Sequence, residues 1–136
     1  MEEAGSYSRK SVKEIKEGSY VLIDGDVCKV VEMESSSPGK HGAAKVRITA
    51  VGVFSNQKKT LLKPSDGDVE VPEIKKKRAQ VVAITDSSVQ LMDLDTYEIY
   101  EAAADEETRK NMKPGQEVEV LESMGKRLIT RVLGGN

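Results

Sequence analysis

The sequence predicts an all-β chain folded as two small barrels in tandem, and three observations lead there. Short apolar alternations bounded by Gly, Asp, Asn and Pro recur along its whole length, the pattern of strands rather than helices. With no Trp, one Phe and four Tyr, any core must be aliphatic. The 136 residues also suffice for two units, each near the size at which a single core is marginal.

In the first half, strands are expected near Ser11 to Ile15, Tyr20 to Ile23, Val27 to Met33, Lys45 to Val51, Lys59 to Lys63 and Val69 to Val71. Asp24 and Gly25 join the second and third as a tight hairpin, because an Asp-Gly pair tolerates the positive φ angles of a primed turn. In the second half, strands are expected at Arg78 to Ile84, Val89 to Asp93, Tyr97 to Ala102, Glu117 to Leu121 and Lys126 to Leu133. Between the third and fourth of these, Asp105 can cap a short helix that Pro114 and Gly115 end. Three strands, a helix and two strands are the element order of an OB-fold. The boundary is expected near Pro72, giving domains 1–72 and 73–136. The run EIKKKR that follows reads as solvated linker or strand edge.

The 21 basic and 23 acidic side chains leave a net charge of -2, which argues against a wholesale electrostatic binder of nucleic acid, and DNA is not an expected partner. The near-balance hides an asymmetry. From Ser35 to Ser65 there are six basic residues (Lys40, Lys45, Arg47, Lys58, Lys59 and Lys63) and no Asp or Glu. Cys28 is the one cysteine and His41 the one histidine, so neither an internal disulfide nor a clustered zinc site is available, and no metal is expected. The acidic, polar start MEEAGSYSRK has no signal-peptide core, and no apolar run approaches the ~20 residues of a membrane span. A soluble cytoplasmic protein without a membrane partner is expected.

The stretch ESSSPGKHGAAKVRI lies between two expected strands and offers almost no apolar surface, so it must project as a loop. Gly39 and Gly42 flank Lys40 and His41 and place Lys40 at an exposed apex. A phosphate-binding P-loop is excluded, because Glu34 and His41 stand where its first Gly and its Ser or Thr belong. Nucleophilic catalysis by Cys28 with His41 lacks a third, orienting group, and a mid-strand cysteine alternating with Val30 reads as core. No catalytic residue is expected. From residue types alone, a plain solvent-exposed hairpin accounts for the segment equally well.

The motif SSSPGKHGAAKVRI closely resembles the hypusine loop of the translation initiation factor 5A family, in which a lysine between Gly and His-Gly is modified. The resemblance continues through VPEIKKKRAQVVAI at the domain junction and over essentially the whole chain. It implies an SH3-like N-terminal domain followed by the OB-fold. Pro38 and Ala43 depart from the eukaryotic pattern T-G-K-H-G-H-A-K and look archaeal, leaving both hypusine and deoxyhypusine open. Carried over by position, Lys40 is the modified residue, Pro38, Gly39, His41 and Gly42 shape its loop, and Lys45 and Arg47 face RNA. The implied modifying enzyme is deoxyhypusine synthase, which uses the aminobutyl group of spermidine, with no bound cofactor. The implied partners are the ribosome, its RNA and peptidyl-tRNA, and the implied role is non-enzymatic promotion of peptide-bond formation, especially at proline-rich stalls. The competing reading is an unmodified single-strand RNA-binding protein. In the OB-fold, Tyr97 and Tyr100 fall on opposite strand faces and are expected to pack rather than stack on bases.

Overall fold

A computed structural model of the chain describes residues 6–36 and 44–134. Its elements in order are β1 (Tyr7–Ser11), a single 3-10 turn (Val12–Glu14), β2 (Tyr20–Ile23), β3 (Asp26–Ser36), β4 (Lys45–Gly52), β5 (Lys58–Pro64), β6 (Asp68–Pro72), β7 (Lys75–Ile84), β8 (Val89–Asp93), β9 (Ile99–Ala102), α1 (Glu106–Lys110), β10 (Glu117–Ser123) and β11 (Lys126–Gly134). The chain divides into two compact units with the boundary between Glu73 and Ile74, each built on β-strands, the second with the one short helix.

In the first unit β2, β3, β4 and β5 form an antiparallel sheet in that order, and β1 pairs with β6 as a separate ribbon. The turn between β2 and β3 has Asp24 at φ 54° and Gly25 at φ 79°, both left-handed as an Asp-Gly hairpin requires. Val21, Ile23, Cys28, Val30, Val46, Ile48, Ala50 and Val69 fill the core between sheet and ribbon. The expected first strand is corrected. Tyr7–Ser11 is the strand, and Val12 and Ile15, spaced by three, are buried by the tight turn that Ser11 caps through Lys13 N and Glu14 closes through Ser11 N.

The β3–β4 ladder is the longest of this unit, running from Cys28↔Gly52 to Ser36↔Lys45 with one irregularity between Val30 and Glu32. Val31 is the extra residue and is 50% exposed. An added residue in a period-2 strand reverses the faces. Cys28 and Val30 therefore point into the core before it and Met33 packs on the core after it, while Glu32 and Glu34 turn outward. Without the bulge, the half of β3 leading to the loop would bury its carboxylates.

The second unit is a five-stranded antiparallel sheet in the order β11, β10, β7, β8, β9. It curls until Ala103 bridges Leu128 in parallel, with Ala103 N donating to Arg127 O at 3.1 Å and Ile129 N donating to Ala103 O at 2.8 Å, which closes the barrel. Ala79, Val81, Val89, Leu91, Val118, Val120 and Ile129 form its aliphatic core. Asp105 caps α1 as expected, accepting from Thr108 N at 2.7 Å. The helix ends at Lys110, with Asn111 as its C-cap, rather than at Pro114. Of the run EIKKKR, Glu73 and Ile74 form the link between the units as expected, but Lys75 to Arg78 are not an edge, because Lys75 begins β7, the central strand between β10 and β8.

Candidate functional site

Three of the loop-support residues and the modification site itself, Pro38, Gly39, Lys40 and His41, lie outside the described residues, as does Gly42. What the structure describes is their mounting. β4 is hydrogen-bonded on both sides, to β3 and to β5, over Lys45 to Val51, and Ser65 N donates at 2.8 Å to the O of Ala44, the residue just before the strand. The last two outward-facing pairs of the β3–β4 ladder are Glu34↔Arg47 and Ser36↔Lys45. Behind them the buried Val46 and Ile48 fix the strand to the core.

Register sorts the five cations of the acid-free segment that lie among the described residues. Lys45 and Arg47 share the outward face of β4, and Lys58, opposite Val51, joins them there at the far end. Lys59 and Lys63 pair with the buried Ala50 and Val46 and so take the other face. Lys63 lines a cleft with Arg9 and with the carboxylates Asp24, Asp68 and Glu70, so its charge is offset there. The positive patch inferred from composition thus contracts on this face to Lys45 and Arg47, the pair expected to face RNA, at the loop end of β4, with Lys58 at the other end. Neither makes an ion pair among the described residues.

Beside them lies a residue that reasoning from composition missed. Leu62, directly across from Arg47 on β5, is 58% exposed. The signal was present: two consecutive leucines on a strand face opposite ways, and Leu61 packs on the core. Glu34, Ser35, Ser36, Lys45, Arg47 and Leu62 line a hollow of about 390 Å³ at the base of the hairpin.

The second unit offers less free charge than its sequence suggests. Lys77 lies 3.4 Å from Glu122 and 3.9 Å from Asp93, and Arg78 is paired with Glu117. Arg127 binds Glu122 at 2.7 Å and covers the ring of Tyr100 at 4.5 Å from its centroid. Burial, then the Asp93 carboxylate, pushes the Tyr100 hydroxyl above its ordinary pKa. Burial alone would raise Glu122, but the Arg127 hydrogen bond and the Lys77 charge outweigh it and hold that carboxyl low. Tyr100 packs against the core, in line with the packing expectation, and its ring also carries the Arg127 cation. Tyr97 breaks that expectation. It sits in the β8–β9 turn at φ 66° and is 70% exposed, because Asp93 ties the turn by accepting from Asp95 N at 2.7 Å and Thr96 N at 3.1 Å.

Cys28 is fully buried, and burial followed by the nearby Asp26 carboxylate raises its thiol pKa, the opposite of what a nucleophile needs. Its Sγ donates to Asp26 O at 3.4 Å. Cys28 is core.

Comparison with known proteins places this architecture. Residues 7–67 match the family described as translation initiation factor 5A-like, N-terminal, and residues 73–132 match that described as eukaryotic elongation factor 5A hypusine, DNA-binding OB fold. Translation initiation factor 5A of Methanothermobacter thermautotrophicus is 48% identical over 90% of this chain and 95% of its own. That of Methanopyrus kandleri is 50% identical over 89% and 90%. The solved structure of translation initiation factor 5A from Methanococcus jannaschii superposes with a TM-score of 0.85 at 42% identity, covering 96% of this chain and 98% of that one. With both halves matched in order and the fold shared end to end, this chain belongs to the translation initiation factor 5A family.

Proposed function

We propose that this factor binds the ribosome in the cytoplasm and promotes peptide-bond formation, above all where proline-rich sequence slows it, through a hypusine or deoxyhypusine side chain at Lys40. The observation that carries the reading is the hairpin mount. A long ladder whose β4 strand is held on both sides leads to the segment PGKHG, and its outward face ends in Lys45 and Arg47, neither of which makes an ion pair among the described residues. Membership of the family supports the same role.

Deoxyhypusine synthase would form a bond from Lys40 Nζ to the aminobutyl carbon of spermidine as the carbon's bond to the spermidine secondary nitrogen breaks, releasing diaminopropane. The product extends the side chain by five bonds, about 6 Å, and carries a second amine. That reach, with charge at its end, suits holding the acceptor end of peptidyl-tRNA in a reactive pose beside ribosomal RNA. This is catalysis by positioning, and the chemical step belongs to the ribosome. In this reading Pro38, Gly39, His41 and Gly42 are the loop residues that support Lys40, and Lys45 and Arg47 neutralise phosphate.

The test is synthesis of a proline-rich peptide on ribosomes with parent factor carrying the aminobutyl group, checked by intact mass, and with Lys40→Arg. Lys40→Arg keeps the positive charge but cannot accept the group, and it should abolish stimulation while changing stability by no more than about 0.5 kcal/mol. Full stimulation by Lys40→Arg would overturn the reading in favour of an unmodified RNA-binding protein.

A further inference from the structure

The exposed apolar residues of the two units do not all have the same cause. Val31 and Val82 are the extra residues of bulges in β3 and β7, turned outward by the register shift. Leu62 lies in an unbroken ladder and is 58% exposed with no such reason. It is also flanked by chemistry. Across the outward face of β3, β4 and β5, one row reads Glu34, Arg47, Leu62 and the next reads Ser36, Lys45, Pro64.

Side chains directly opposite in such rows stand roughly 5 Å apart, and the two rows are separated by about 7 Å along the strands. The result is a small platform with an apolar edge (Leu62, Pro64), a cationic centre (Arg47, Lys45) and an acceptor-bearing edge (Glu34, Ser36). The hollow over it, about 390 Å³, falls at the lower end of the range for small-ligand sites, roughly 300 to 1,000 Å³.

We propose that this platform holds one unpaired ribonucleotide of the RNA the factor engages, with Leu62 against the base, Lys45 and Arg47 on the flanking phosphates, and Glu34 accepting from the 2′-hydroxyl. The proposal rests on the ribosome-binding reading above. An acidic peptide would also suit two cations beside a leucine. Glu34 decides against it, because a carboxylate within the platform repels a polyanion unless the ligand brings a donor to it. The 2′-hydroxyl is such a donor, and it distinguishes RNA from DNA. Unpaired bases also present the flat apolar face that a lone exposed leucine can cover.

The test uses the full chain and a labelled, unstructured ten-nucleotide RNA or its DNA counterpart, with anisotropy titrations over a salt series. Leu62→Ala should weaken RNA binding about fivefold with the salt slope unchanged, and Leu62→Tyr should restore it by stacking. Lys45→Gln and Arg47→Gln should each lower the slope by about one. Glu34→Gln should improve DNA binding more than RNA binding, narrowing the preference for RNA. The proposal is overturned if Leu62→Ala binds RNA like the parent, if parent and Glu34→Gln show the same RNA-to-DNA ratio, or if polyglutamate competes with the same Leu62 dependence. Failure here with Lys40→Arg still inactive in peptide synthesis would leave the functional reading standing. A Leu62 effect with Lys40→Arg fully active would do the reverse.

Discussion

Replacing Asp93 should cost the second unit more than replacing any exposed carboxylate. Asp93 is 4% exposed, and one oxygen accepts from Asp95 N at 2.7 Å and Thr96 N at 3.1 Å while the other lies 3.9 Å from Lys77 Nζ. Hydrogen bonds to a charged acceptor are worth about 1.5 to 3 kcal/mol each, and the freed turn amides can recover some of that from water, so Asp93→Ala should cost about 3 kcal/mol. Asp93→Asn keeps the turn acceptor and loses only the charge, so about 1 kcal/mol is expected. The amide hydrogen bonds first, and then Lys77, hold the Asp93 pKa below its ordinary value of 3.8. Its contribution is therefore complete above that value and is lost as pH falls through the lower, folded pKa. Urea unfolding followed by the NMR signals of Val118 and Val120 reads this unit separately from the other. The gap between parent and Asp93→Ala should be widest at about pH 7 and shrink toward about pH 2. A gap under about 0.5 kcal/mol at neutral pH, or one that does not change with pH, would refute the account.

Gly52 has no room for a methyl group, since an added Cβ would fall on Ser55 Oγ and 2.6 Å from Asp26 Oδ2, and those two atoms are hydrogen-bonded at 2.7 Å. Gly52→Ala should destabilise the first unit by about 1 to 3 kcal/mol in urea, and Gly52→Ala with Ser55→Ala should recover part of it; equal costs for the single and double variants would refute the clash. Cys28 should resist a thiol reagent in the native protein and react only as the unit opens, and Cys28→Ala should leave proline-rich synthesis at the parent level. Labelling at the rate of a free thiol would show that the residue is not sealed.

Sequence patterns revealed the elements whose signals are local and hid those that depend on a partner. Tyr20–Ile23 and Val89–Asp93 were bounded correctly because turn residues close both ends, and the Asp24 turn and Asp105 cap each lie within four residues of what they satisfy. Tyr7–Ser11 was missed because it pairs only with β6 and carries polar, exposed side chains, so alternation had nothing to mark. Tyr97 was misread because a strand pattern cannot show that Asp93 has bent the chain into a left-handed turn. Lys77 and Arg78 of β7 looked like part of a solvated run because their carboxylates, Asp93, Glu117 and Glu122, are distant in sequence. The same limit applied at the candidate site. Composition located the acid-free segment, but only cross-strand register could divide its lysines between two faces.

That division bears on the proposed role of the lysine-bearing loop, which is to act by positioning. Effective positioning demands that the reacting groups be held to within fractions of an ångström, and loops achieve it only when their roots are rigid. Here the roots are unequal in sequence but joined in structure. The β4 root is held on both sides by β3 and β5, with Ala44 fixed through Ser65 N, whereas among the described residues the β3 root pairs with β4 alone beyond Met33. The bulge at Val31 reconciles the two demands on β3, since it keeps Met33 on the core while turning Glu34 and Ser36 to the same face as Arg47 and Lys45. A strand without it could anchor the hairpin or present that face to a ligand, but not both.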